Sequence, residues 1–213
     1  MPTTIQRILS LSGVAAVLFY LTHVILGGAL WEGYSHLMQP ISDLTATGAP
    51  DRGLLTIFTN IYGLFAVVFC FMLIKQVKNT TNSLVLAGAI VLLCMHLVSL
   101  SYGLFPEDLP GAEMTIAGMM HLLVTALIVP LTIAAPILTG LGLLKLAGER
   151  RMGVYSLICG VAILVLGGIT AMMFATGSGM FGLFERLNIG TLQAWTATLS
   201  IWLYRRCSQP AQP

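Results

Sequence analysis

The sequence predicts an all-α integral membrane protein that folds as a bundle of six transmembrane helices. Hydrophobic residues make up 57% of the 213 residues and charged residues only 8%, whereas a soluble domain carries about 25% charged residues. The apolar residues also form long continuous runs. Peptide groups in lipid must find hydrogen-bond partners within the chain, so only helices and closed barrels cross a bilayer. Barrel strands would alternate apolar and polar residues, so the continuous runs favour helices.

Six segments approach the 20 or so apolar residues that a transmembrane helix needs. The predicted spans cover residues 8–30, 54–74, 83–104, 116–144, 154–175 and 189–204, within a single domain of residues 1–213. The fourth span contains Pro130 and Pro136. Because each proline removes a helix hydrogen bond, we expect a kink or a strong tilt there. The sixth predicted span is the shortest.

The distribution of charge gives the six-span prediction an orientation. Eight of the ten basic residues would share one side with both termini: Arg7, Lys75, Lys78, Lys145, Arg150, Arg151, Arg205 and Arg206. Arg52 and Arg186 would lie on the other side, together with every acidic residue except Glu149. Basic loops stay in the cytoplasm, so the sequence predicts an inner-membrane protein with cytoplasmic N and C termini.

The connection between the first two spans is long and mixed in composition. Residues 31–53 include Trp31 and Tyr34, which suit the membrane–water interface. Long structured loops are more often functional than short ones. We therefore expect an ordered loop on the outer side between helices 1 and 2.

Three stretches of the outer segments resemble a known family. These are the stretch from Pro40 to Pro50 (PISDLTATGAP), the stretch GLFPED at residues 103–108 with His121 after it, and GLFER at residues 182–186 with Trp195 after it. In this order they resemble a bacterial multipass family catalogued as domain of unknown function 998, whose usual pattern has glycine where Thr45 stands. The resemblance implies a six-helix membrane protein and no established activity.

Histidines at similar depth are the most informative residues for function. His23, His96 and His121 each fall five to eight residues below the outer end of a predicted span. At about 1.5 Å per residue, all three lie roughly 8–12 Å below the outer surface. Ionisable residues inside a bilayer are costly and usually face the bundle interior or a water-filled cavity. The three imidazoles are therefore predicted to line a polar pocket.

Other polar residues occur at that depth or just above it. Asn60 and Gln193 join the three histidines as predicted pocket residues, and the predicted outer rim comprises Ser42, Asp43, Asp108, Glu185 and Arg186. Arg186 is expected to form an ion pair with Glu185, to pair with Asp43 or Asp108, or to bind an anionic group through its planar fork.

The histidines support several kinds of site. Three imidazoles and a water form a catalytic zinc arrangement, although His23, His96 and His121 show no local metal-binding motif. Two imidazoles on facing helices could instead ligate haem b. In a third reading, each histidine simply hydrogen-bonds a neighbouring helix, which is ordinary in membrane bundles.

The leading functional hypothesis is a polar pocket, open to the periplasmic or external side, that binds a small molecule, a lipid headgroup or a cofactor. One alternative is an intramembrane metal-dependent hydrolase that uses the three histidines. Another is a non-catalytic subunit that packs against a membrane-protein partner. The lipid bilayer is the expected environment, and a net charge of +2 without a basic cluster argues against nucleic acid as a partner.

Overall fold

The computed structural model of the protein describes residues 4–78, 80 and 82–208, and these residues are almost entirely helical. The helices are α1 (Thr4–Leu9), α2 (Ser12–Leu30), α3 (Arg52–Val77), α4 (Ser83–Ser99), α5 (Ile116–Leu143), α6 (Arg150–Ala175) and α7 (Phe181–Ser208), with short 3-10 turns at Ser42–Thr45 and Leu100–Gly103. The described residues contain no β-strand, so the predicted all-α class is confirmed.

The six long helices pack in chain order around a shared core. Each of α2 to α6 contacts the next helix, and α7 packs back against α2. Connections 31–51, 104–115 and 176–180 lie at one end of the bundle, called here the acidic end because most acidic residues lie there. The described residues of the connections 78–82 and 144–149, with the outer turns of α1 and α7, form the basic end.

Five helical stretches are long and apolar enough to cross a membrane. They are Thr4–Leu30, Arg52–Val77, Ser83–Gly103, Ile116–Leu143 and Arg150–Ala175. The multipass character predicted from the sequence is therefore supported. Helix α7 is equal in length to the longest of them at 28 residues, but it is not among these five. Its apolar residues are interrupted by polar ones, so its composition alone does not identify it as a span.

Several polar residues of α7 face the protein interior. Trp195 is completely buried and donates a hydrogen bond from Nε1 to Ser156 Oγ on α6, 3.0 Å away. Ser200, also buried, donates from Oγ to the carbonyl oxygen of Ser10 at 2.7 Å. Satisfied polar groups of this kind can be buried without the desolvation cost of an unpaired group. Helix α7 therefore joins the core through hydrogen bonds as well as through apolar contacts.

Several helix boundaries differ from those predicted. The first span is interrupted between α1 and α2, where the hydroxyls of Ser10 and Ser12 bond to carbonyl oxygens three residues back. Such bonds compete with regular helix hydrogen bonding. Helix α5 continues through Pro130 and Pro136. Helix α7 begins at Phe181, well before the predicted residue 189, because its first turn packs against the long connection 31–51.

Helices α4 and α5 approach each other closely at Gly88. A β-carbon at this position would meet Thr139 Oγ1 and would lie 2.8 Å from the Thr139 backbone nitrogen and 3.0 Å from Ala135 O. Backbone atoms cannot move aside as a flexible side chain can. Small residues at helix interfaces in membranes permit this kind of close packing.

Alanine substitution at Gly88 should therefore destabilise the protein. We expect Gly88→Ala to lower the free energy of unfolding by about 1–3 kcal/mol, the usual cost of overpacking. The matched control is Gly168→Ala in α6, where no atom lies within 4 Å of the added carbon; it should be neutral or stabilising by up to about 1 kcal/mol, because alanine favours the helix. Thermal unfolding of the purified protein in one detergent measures both. Equal effects at the two positions would contradict the close approach.

Candidate functional site

Two of the three predicted histidines flank a pair of partly buried tyrosines. The ring of His23 on α2 lies 5.9 Å from that of Tyr20, Tyr20 lies 5.1 Å from Tyr62 on α3, and Tyr62 lies 5.8 Å from His96 on α4. His23 is 2% exposed and His96 1%. These four residues form a continuous row of rings across three helices, called here the histidine–tyrosine row.

The row contains buried polar atoms that have no protein partner. Among the described residues, neither ring nitrogen of His23 nor of His96 has a hydrogen-bond partner. Gln193 on α7 is also buried; its Nε2 donates to Tyr62 Oη at 3.2 Å, while its Oε1 has no partner. Native proteins pair nearly all buried polar groups, so the row leaves an unusual number of hydrogen-bonding positions unsatisfied.

Helix geometry explains how the row is assembled and why only some of its residues were predictable from the sequence. Tyr20 precedes His23 by three residues, so both side chains lie on one face of α2. The prediction identified His23, His96 and Gln193 but missed Tyr20 and Tyr62. The spacing of Tyr20 and His23 was an available signal. No local pattern links Tyr62 to either histidine, because the contacts join different helices.

His121 has a different environment from the other two histidines. Its Nδ1 hydrogen-bonds Phe105 O at 3.0 Å, its ring lies 4.6 Å from Tyr102, and its Nε2 is 4.0 Å from Glu107 Oε2. His121 is thus tied to the connection 104–115. The expected convergence of three histidines is replaced by two histidines in the row and one beside the rim.

Two further expectations for the pocket differ from the structure. Asn60, a predicted pocket residue, is exposed and makes no hydrogen bond among the described residues. Across residues 4–78, 80 and 82–208, no group of three His, Cys, Asp or Glu side chains is placed to hold a metal ion. The zinc arrangement expected for His23, His96 and His121 therefore lacks the necessary geometry here: each faces a tyrosine instead of a shared centre.

Glu185 and Arg186, at the start of α7, bind the backbone of the long connection 31–51. Glu185 Oε2 accepts a hydrogen bond from Ile41 N at 2.7 Å. Arg186 Nη1 donates to Gln39 O at 2.8 Å and to Gly182 O at 2.9 Å, while Nη2 donates to Tyr34 Oη at 2.5 Å. The two residues therefore hold this connection against α7.

The expected ion pairs of Arg186 are not formed. In the described part of the chain the ion pairs within 4.0 Å are His121–Glu107 and Arg206–Glu149. The sequence predicts Arg186 at the outer rim; in the structure its guanidinium binds carbonyl and hydroxyl oxygens instead of Glu185, Asp43 or Asp108. The pattern of charged residues could not predict these contacts, because every residue has a backbone carbonyl and the sequence does not show which one Arg186 binds.

The other rim residues join the two longer connections at the acidic end. Thr47 N donates to Glu107 O at 2.8 Å, and the Ser42 side chain lies near enough to the Glu107 carboxyl group to lower its pKa. Asp108 accepts hydrogen bonds from Thr115 N at 2.7 Å and from Thr115 Oγ1 at 2.9 Å, immediately before α5. Asp108 thus has a structural role at the start of that helix, and Glu107 is a rim residue that the prediction left out.

Asp43 is a buried rim residue whose carboxyl group has few hydrogen-bond partners. It is 1% exposed; its Oδ2 accepts a hydrogen bond from Gln39 Nε2 at 3.3 Å, and its Oδ1 has no partner among the described residues. Burial, followed by the charge of Glu107, raises the pKa of Asp43 to about 6, although the Gln39 hydrogen bond and the charge of Arg186 oppose the shift. Burial also raises the pKa of Glu107.

The two kinds of histidine should respond oppositely to replacement by leucine. We expect His121→Leu to cost about 1 kcal/mol of unfolding free energy or more, because it removes the hydrogen bond to Phe105. His96→Leu removes a buried polar group that has no partner, so it should leave the stability unchanged or increased. Thermal unfolding of both variants and the wild type in detergent measures the difference. Similar losses in both variants would show that His96 has a structural hydrogen bond.

The raised pKa of Asp43 predicts a pH-dependent stability. The folded state holds the proton more tightly than the unfolded state, whose Asp pKa is near 3.8, so stability should fall as pH rises from about 4 to about 6. Asp43→Asn mimics the protonated form and should weaken this dependence and raise stability at pH 7. Thermal unfolding across pH 4–8 measures it, with the exposed Glu113→Gln as control. A wild-type profile that the Asp43 variant reproduces would contradict the assignment.

Comparison with known proteins identifies a family but gives no activity. No curated protein and no solved structure matches this chain. One family profile matches residues 14–202, a range that contains the whole histidine–tyrosine row and every rim residue. The chain belongs to the family described as protein of unknown function (DUF998).

Proposed function

We propose that this is a six-span membrane protein whose acidic end faces the outside and whose histidine–tyrosine row binds a small, neutral, polar molecule. The observation that carries the proposal is the concentration of unpartnered polar atoms on His23, His96 and Gln193. The charge distribution supports the orientation, because basic residues favour the cytoplasmic side.

Helix α7 is the sixth span in this proposal. Its 28 residues extend about 42 Å at 1.5 Å per residue, which exceeds the roughly 30 Å hydrocarbon core of a bilayer. Three of the polar side chains that lower its hydropathy, Gln193, Thr196 and Ser200, are buried within the bundle. They would therefore not face lipid. Six crossings place both termini on the basic, cytoplasmic side.

The hydrogen-bonding capacity of the row determines what it would bind. In its neutral form each imidazole has one donor and one acceptor, and Gln193 Oε1 adds another acceptor. The site thus offers two donors and three acceptors. Each buried unpaired group costs about 1–3 kcal/mol, and a molecule with several hydroxyl or amide groups would satisfy both kinds of partner. Tyr20 and Tyr62 supply flat faces for its apolar edges.

The rim favours a neutral ligand over an anion. Asp43, Glu107 and Glu185 place three carboxyl groups near one another, close enough for their charges to interact. Arg186, the basic residue among them, already donates to two carbonyl oxygens and a hydroxyl. An entering anion would meet the acidic groups, and the Arg186 nitrogen that has no partner among the described residues, Nε, is buried. A neutral polar molecule avoids that repulsion.

A binding screen tests the proposal. The purified protein is heated with a panel of small neutral hydroxyl- and amide-containing compounds, and the midpoint of unfolding is recorded. We expect at least one compound to stabilise the wild type. The double variant His23→Leu/His96→Leu should bind it at least tenfold more weakly, since losing two hydrogen bonds of about 1 kcal/mol each is worth about that much.

Two controls make the result specific. Asn60→Leu removes an exposed polar residue from α3 and should leave binding unchanged. His121→Leu removes a histidine outside the row, so it should lower stability without changing the affinity. The proposal fails if no compound stabilises the wild type, or if every compound acts equally on the wild type and the double variant.

A further inference from the structure

A groove at the basic end lies between the first turns of α6 and the last turns of α7, far in sequence from the histidine–tyrosine row. Its volume is about 410 Å³, within the range of small-molecule sites. Met152 and Tyr155 line it from α6, and Thr198, Ile201 and Trp202 line it from α7, with Arg151 and Arg205 at its edges. The α7 residues are spaced three and four apart, which places them on one helix face.

The surface of this groove is almost entirely apolar, although charged residues border it. The polar groups of Tyr155 and Thr198 face each other, with Thr198 Oγ1 3.3 Å from Tyr155 Oη. The aromatic rings of Tyr155 and Trp202 suit the boundary between hydrocarbon and headgroups. The walls therefore fit a hydrocarbon chain better than a water-soluble molecule.

The acidic residue at this end of the bundle is already neutralised. Glu149 is the acidic residue that the sequence places there, and both of its carboxylate oxygens are used. Its Oε1 pairs with Arg206, and its Oε2 accepts a hydrogen bond from Trp202 Nε1 at 2.6 Å. Arg206 also stacks over the Trp202 ring, 5.1 Å from its centre. This set of contacts fixes one wall of the groove.

Arg151 and Arg205 remain without an acidic partner. Both are exposed, and neither forms an ion pair with any residue in the described part of the chain. Arg151 also lies in the first turn of α6, where the helix dipole adds positive potential. Two uncompensated guanidinium groups at the mouth of an apolar groove are complementary to a molecule with an anionic head and an apolar tail.

We propose that this groove binds an anionic phospholipid from the adjacent leaflet. Arg151 and Arg205 would contact the phosphate, and an acyl chain would lie against Met152, Ile201 and Trp202. Basic pockets between transmembrane helices recognise lipid headgroups by this chemistry. The site is independent of the ligand proposed for the acidic end, because it shares no residue with the histidine–tyrosine row.

Native mass spectrometry of the purified full chain tests the proposal with phosphatidylglycerol and phosphatidylcholine as probes. We expect phosphatidylglycerol to bind the wild type on the order of tenfold more tightly than phosphatidylcholine. Arg151→Gln/Arg205→Gln should abolish that preference, given roughly 1 kcal/mol for each basic residue near an anionic lipid. The matched control, Lys75→Gln/Lys78→Gln, makes the same charge change at the same end outside the groove, so it should keep the preference.

A second variant separates the headgroup from the chain. Ile201→Trp fills the groove from a half-exposed position and should weaken phosphatidylglycerol binding while both arginines remain. Competition by inorganic phosphate would instead identify a site for soluble anions and overturn the lipid proposal. Equal affinity for the two lipids, or equal loss of preference in the lysine control, would also overturn it.

Discussion

The arrangement of this bundle depends on three buried residues of α7 that form hydrogen bonds, Gln193, Trp195 and Ser200. Polar groups buried in a membrane bundle need partners from neighbouring helices. Trp195 finds Ser156 on α6, Ser200 finds Ser10 beside α2, and Gln193 finds Tyr62 on α3. Helix α7 is thereby hydrogen-bonded to three parts of the chain. Helix α7, the least apolar of the six long helices, closes the bundle by packing against both α6 and α2.

The start of α7 also organises the acidic end. Glu185 and Arg186 bind backbone groups of the connection 31–51 that lie outside helices and would otherwise lack regular partners. The same connection binds the segment before α5 through Thr47 and Glu107. Arg186, Glu185 and the backbone carbonyl of Glu107 thus connect segments that are far apart in sequence. The rim is built mainly from side chain–backbone contacts, which explains why the expected ion pairs are missing.

The histidine–tyrosine row differs from the buried polar residues of α7 in how its polar groups are satisfied. Trp195 and Ser200 are buried with their side-chain polar groups hydrogen-bonded, whereas the ring nitrogens of His23 and His96 have no partner among the described residues. Proteins often accept such local costs at functional sites. The sequence located His23, His96 and Gln193 through their depth in the predicted spans. It did not reveal that His121 belongs to a different environment or that two tyrosines complete the row.

The sequence by itself determined the all-helical class, the multipass character, the family and the separation of charge between the two ends. Each follows from composition, continuous apolar runs or local motifs, all of which are properties of neighbouring residues. The tertiary structure alone decided which polar residues meet. Whether Arg186 would bind Asp43 or a carbonyl oxygen, and whether three histidines would converge, depends on how helices are rotated and offset against one another. The rotation and offset of the helices arise from packing between segments that are distant in sequence, so no local pattern in a single sequence predicts them.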